Sequence, residues 1–182
     1  MHQISLLLFT ISIPLQILAQ TTSQPDVWSR FRFFEGKWAG SGTGQPGKST
    51  VSREYNFVLN GKFLFAKNKS TWAPTEKYPK GEVHEDWGYF SRDRIRKLYV
   101  LRQFHVEGFV NQYSLDTTRT DSTTMVFASE AIENIPSGWR ARETYRFVSE
   151  NEFTETFELA GPGKDFEVYS ETRLKRVKEQ LE

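Results

Sequence analysis

Cysteine is absent from the 182 residues, and histidine and methionine are scarce, at three and two. Without cysteine there is no disulfide, no thiol nucleophile and no Cys-ligated zinc or iron–sulfur centre. An excess of one charge is missing too: 24 Lys and Arg stand against 23 Asp and Glu, a net +1. That balance does not supply the basic surface that bulk nucleic-acid binding needs, so no nucleic-acid partner is expected. No Gly-x-Ser-x-Gly elbow occurs, which removes one class of serine hydrolase. What is abundant is aromatic: 15 Phe, 7 Tyr and 5 Trp make up 15% of the chain. Such a load suits strands and a large buried volume rather than disorder or a coiled coil. The length fits one domain.

Residues 5–19 read SLLLFTISIPLQILA without a charge. The run is too short for a spanning helix, which needs about 20 apolar residues, and Pro14 interrupts it. A short lead, an apolar stretch and a small Ala19 before a polar segment match a secretory signal peptide over 1–19. The expectation is an exported protein, periplasmic or secreted, with a linker at 20–26, one domain at 27–178 and a solvated tail at 179–182. After cleavage no stable membrane insertion is expected.

Behind Asp26, a candidate N-cap, Val27, Trp28, Phe31 and Phe34 recur at helical spacing up to Gly36, predicting a short amphipathic helix whose aromatics plug whatever follows. From Lys37 onward alternation and turn residues take over. Ten strands are predicted, at 37–44, 50–59, 62–72, 82–90, 97–106, 109–117, 124–132, 139–148, 153–159 and 165–176. Asn60-Gly61 between apolar runs signals a two-residue hairpin. The long connection 73–81 carries Lys77, Tyr78 and Lys80 and is placed over one mouth. Ten consecutive strands with short turns imply an antiparallel up-and-down sheet. Closure into a ten-stranded barrel removes its edges, and a two-sheet sandwich is the alternative.

The segment Gly36-Lys37-Trp38-Ala39-Gly40-Ser41-Gly42-Thr43-Gly44 lacks the Gly-Lys-Ser/Thr ending of a phosphate loop. Its alternate glycines instead give one strand a bare face that lets another backbone come close. The run Phe33-Phe34-Glu35-Gly36-Lys37-Trp38-Ala39-Gly40 resembles the opening of calycin barrels, closest to the nitrobindin-like group, and His84-Glu85-Asp86-Trp87-Gly88-Tyr89-Phe90 resembles the strand that places a histidine over haem there. The resemblance implies a ten-stranded barrel and haem as a cofactor. The group's haem-ligand histidine on the final strand has no counterpart in 166–174, where Tyr169 is the remaining candidate ligand beside His84.

After residue 19 the histidines are His84 and His105. Pairing their strands so that positions sum to 189 sets His84 opposite His105 and gathers Glu82, His84, Asp86, Gln103, His105 and Glu107 on one face. Glu82, His84, Asp86 and His105 are thereby candidate metal ligands or acid–base groups. Charges also interrupt apolar lines: Arg53 among Val51, Tyr55 and Phe57; Arg102 among Leu98, Val100 and Phe104; Glu143 among Trp139, Tyr145 and Phe147; Glu155 between Phe153 and Phe157. If those lines face inward, Arg53 and Arg102 meet Glu143 and Glu155 across a cavity. The leading expectation is a monomeric barrel binding a small, largely hydrophobic ligand, lipid-like or porphyrin-like. Its candidate contacts are Trp38, Arg53, His84, Arg102, His105, Glu143, Tyr145 and Glu155. An enzyme built on the His/carboxylate cluster, a haem protein and a purely structural or partner-binding domain are the alternatives.

Overall fold

The computed structural model describes residues 26–76 and 78–178. The expected signal peptide, nearly all of the linker, Lys77 and the tail 179–182 lie outside the described residues. Ten antiparallel strands close into a barrel. They are β1 (Gly36–Gly44), β2 (Ser49–Val58), β3 (Phe63–Trp72), β4 (Glu82–Asp93), β5 (Leu98–His105), β6 (Val110–Leu115), β7 (Thr124–Glu133), β8 (Arg140–Ser149), β9 (Glu152–Ala160) and β10 (Glu167–Arg176). Each strand pairs with its neighbours in sequence, and β1 pairs with β10 to close the ring, so no edge is left open. At that seam Gly40 stands opposite Leu174. A Cβ on Gly40 would lie 1.8 Å from the Arg173 carbonyl oxygen, so the bare face of β1 is what admits the closing backbone.

The predicted helix is reduced to a single 3-10 turn, Phe31–Phe34, preceded by hydrogen-bonded turns from Asp26. Asp26 Oδ1 still accepts the Trp28 amide at 3.0 Å, but the stretch from Asp26 to Gly36 is shorter than an α-helix needs to be stable on its own. The plugging role stands: Trp28, Phe31 and Phe34 are buried in one end of the barrel. Phe34 lies 5.3–5.4 Å, centroid to centroid, from Tyr55, Tyr145 and Phe153. Trp38 Nε1 donates to the Phe34 carbonyl at 2.7 Å. Arg176 lies over Trp38 and donates to the Glu35 and Phe33 carbonyls at 2.6 and 2.7 Å, which satisfies the turn's free C-terminal acceptors.

Two hairpins depart from expectation. At Asn60-Gly61 the loop takes four residues, with Val58 paired to Phe63 and positive φ at Leu59, Asn60 and Gly61. Between β4 and β5 the pairing sets Asp86 opposite His105, a sum of 191 rather than 189. The turn there is fixed by Asp93, whose Oδ1 accepts the Ile95 and Arg96 amides, and by a left-handed Lys97. A shift of two residues preserves the faces, because strand side chains repeat with period two.

Candidate functional site

Along the barrel axis the inward side chains change character in step. On β3 they run Leu64, Ala66, Asn68, Ser70; on β2 from Tyr55 to Arg53; on β5 from Leu101 to Gln103; on β6 from Tyr113 to Asn111; on β8 from Tyr145 to Glu143; on β9 from Phe153 to Glu155. A packed aromatic layer is thus followed by a polar belt, in which Arg53, Asn68, Asp86, Gln103, Asn111, Glu143, Glu155 and Thr172 are all buried. Beyond the belt the barrel is hollow: a cavity of about 590 Å³ reaches the opposite mouth, where Trp72, Phe109, Ile132, Trp139, Phe157 and Leu159 contribute apolar wall. That volume falls within the range of small-molecule sites.

The belt is a network of charges held across the lumen. Arg53 Nη2 donates to Glu155 Oε1 at 3.0 Å. Burial works against the Arg53 charge, but Glu155 and then Asp86 outweigh it and hold the guanidinium protonated. Burial, and after it the nearby Glu155 carboxylate, push Glu143 well above the usual carboxylate range, which favours its neutral form. Asp86 loses solvation by burial, yet His84 and Arg53 keep it ionised, below its ordinary value. Its Oδ1 accepts from Asn68 Nδ2 at 2.6 Å. His84 is raised by the Asp86 carboxylate, against the cost of burial, and further by Glu107, whose Oε1 lies 2.6 Å from Nδ1. His105 is lowered by burial and stacks on Phe109 at 4.2 Å.

Of the residues singled out from the sequence, Arg53, Glu82, His84, Asp86, His105, Glu143, Glu155 and Tyr169 line the cavity. Three do not. Trp38 and Tyr145 are buried in the plugged end. Arg102 is on the outer face: β4 and β5 turn their odd and even lines outward respectively, leaving Trp87 and Phe104 both 47% exposed. There Arg102 donates to Gln112 Oε1 and Ser91 Oγ. The apolar line that suggested an inward face is an outer one, roofed by cross-strand contacts among Phe65, Trp87, Tyr89 and Phe104. The connection 73–81 leaves from Trp72 and returns at Glu82, both of which line the cavity, while none of the described residues between them does. Asn68, Asn111 and Thr172, each a short polar residue sharing a parity with buried apolar neighbours, are belt members that the sequence reading missed.

The haem that the resemblance implied can be checked against this wall. His84 directs Nδ1 at Glu107 and Nε2 at Asp86 and His105, so neither nitrogen addresses the open cavity. As placed, His84 does not offer a free axial nitrogen. Tyr169, the extra residue where β10 shifts register against β9, lines the cavity with its ring 5.8 Å from that of Phe157.

No family model matches the chain, and no curated protein matches it. Among solved structures, the crystal structure of Rv2717c from M. tuberculosis is similar at a TM-score of 0.60 with 15% identity, covering 83% of this chain and 97% of that one. The likeness is one of fold. Both are barrels over nearly the whole of the shorter chain.

Proposed function

We propose that the barrel binds one small amphipathic molecule, with its apolar part toward the mouth and a hydrogen-bond-donating head, a hydroxyl or amine, on the polar belt. One observation carries this reading. Among the described residues, the buried side-chain polar atoms without a partner are Arg30 Nε and, on cavity-lining residues, Arg53 Nε, Asn68 Oδ1, Trp72 Nε1, Gln103 Oε1, Asn111 Oδ1 and Glu143 Oε2. Buried polar groups are satisfied in folded proteins, so the belt calls for an occupant, and the amide oxygens of Asn68 and Gln103 call for donors. The Asp86 carboxylate, held ionised in the belt, disfavours an anionic head. The apolar mouth supplies affinity at about 25 cal/mol per Å² removed from water. The protein then works by equilibrium binding and shielding, as a monomer, and the apolar segment 1–19 supports its export.

Calorimetric titration with dodecanol, dodecylamine, dodecanoate and haemin tests the proposal. The alcohol or the amine should bind one per chain, about tenfold or more tighter than dodecanoate, a difference of about 1.4 kcal/mol. Uptake of none of the four, or preference for dodecanoate, overturns it, and tight uptake of haemin alone replaces it with a porphyrin carrier.

A further inference from the structure

On the mouth side of the belt, two imidazoles and a carboxylate converge on one another. His84 Nε2 lies 3.5 Å from His105 Nδ1 and 3.6 Å from Asp86 Oδ2. One ligand atom from each of the three residues lies within 4.8 Å of the other two. Tetrahedral zinc, with bonds of about 2.0–2.1 Å, spaces its ligand atoms roughly 3.3 Å apart. Two of the three separations are thus already within a few tenths of an ångström of that spacing.

We propose that His84, Asp86 and His105 form a binding site for one divalent transition-metal ion of the zinc or cobalt class, with its remaining coordination open to the cavity. Two histidines and a carboxylate are a donor set suited to zinc, and a fourth position facing a cavity is the form of an open rather than a structural site.

The support is in what stands behind each ligand. Glu107 Oε1, 2.6 Å from His84 Nδ1, accepts its N–H and leaves the Nε2 lone pair facing the other two ligands. Asn68 Nδ2 donates to Asp86 Oδ1 at 2.6 Å, leaving Oδ2 for the metal. Asn111 Nδ2 stands 3.2 Å from His105 Nε2 and 2.7 Å from the Tyr113 hydroxyl, while its Oδ1 has no partner. Turning that amide over lets its oxygen accept from both, which places the His105 proton on Nε2 and frees Nδ1. Outer partners of this kind fix tautomer and orientation in metal sites. Phe109, stacked 4.2 Å from His105, holds the second ring in place. Arg53, the nearby cation, has its charge engaged by Glu155 at 3.0 Å. All three ligands belong to adjacent strands β4 and β5, whose register sets Asp86 opposite His105, so the site is carried on rigid backbone.

The site needs no organic ligand and stands or falls apart from the carrier reading. Cobalt(II) is titrated into chelator-treated protein with no amphiphile present, and zinc is then added as competitor. The expected result is one equivalent of cobalt with the intense visible absorption of four- or five-coordinate ion, displaced by zinc. His84→Gln and His105→Gln should abolish that spectrum. Glu107→Gln, at a half-exposed position that carries no core packing, should weaken binding about 10–100-fold while leaving the fold unchanged by circular dichroism. No stoichiometric uptake, a weak six-coordinate spectrum, or uptake unaltered in both His84→Gln and Glu107→Gln overturns the proposal.

Discussion

Arg53 and Glu155 reach each other across the lumen from β2 and β9, strands that are not neighbours, and meet at 3.0 Å with side chains only 6% and 10% exposed. An ion pair this deep contributes little net stability, because desolvation offsets attraction, but removing one partner strands the other charge. Arg53→Met should therefore destabilise the barrel by about 3–5 kcal/mol in urea unfolding, and Arg53→Met with Glu155→Gln should recover at least half of that. A single variant as stable as the parent would show that the pair is not held in the interior.

The raised Glu143 carboxyl gives a pH signature. Its folded-state value is raised well above the ordinary 4.5, first by burial and then by Glu155. The folded chain keeps a proton there that the unfolded chain releases once the pH passes the ordinary carboxylate value. Stability linked to this group is intact below that value and declines as pH rises toward the raised one. Glu143→Gln keeps the neutral shape and removes the linkage. Its stability relative to the parent should climb with pH between about 5 and 8 in denaturant unfolding; a constant difference would contradict an uncharged Glu143.

The plugged end is a packed core and should respond as one. Phe34 is fully buried, with five aromatic rings besides its sequence neighbour Phe33 within reach. Phe34→Ala should cost about 3–5 kcal/mol in unfolding free energy. A cost under about 1 kcal/mol would mean that the turn is not the plug.

Closure of the barrel rests on the seam. In Gly40→Ala the new methyl would sit 1.8 Å from the Arg173 carbonyl oxygen, a backbone atom that cannot swing away. The variant should lose cooperative folding or fall steeply in Tm, and a Tm within a few degrees of the parent would contradict the β1–β10 pairing.

The strands were legible because their breaks are chemical: Pro46-Gly47, Asn60-Gly61, Pro79-Gly81 and Gly161-Pro162-Gly163 all fall between observed elements. Which face of β5 looks inward was not. Gln103 and Arg102 are both polar, and Val100, on the outer line, is only 1% exposed, so its neighbours imitate a core pattern. The belt itself inverts the usual rule, since on β4 the inward line is Asp86 and His84 while Trp87 faces out. Arg53, Glu143 and Glu155 could be picked out because a long charge in an aromatic line is conspicuous; Asn68 and Asn111 could not, because a short amide in such a line reads equally well as a solvated position. The two-residue register shift depends on the Asp93 turn, whose geometry the pattern of apolar residues does not encode.

A hollow, amphipathic cavity that seats its ligand head on the belt is visible to amide and indole proton–nitrogen NMR during titration with dodecylamine or dodecanol. The side-chain amides of Asn68, Gln103 and Asn111 and the indoles of Trp72 and Trp139 should shift together and saturate at one equivalent, while Trp28 and Trp38 in the plugged end stay put. Saturable shifts confined to Trp87 on the outer face, or none at all, would mean that the cavity does not seat the ligand.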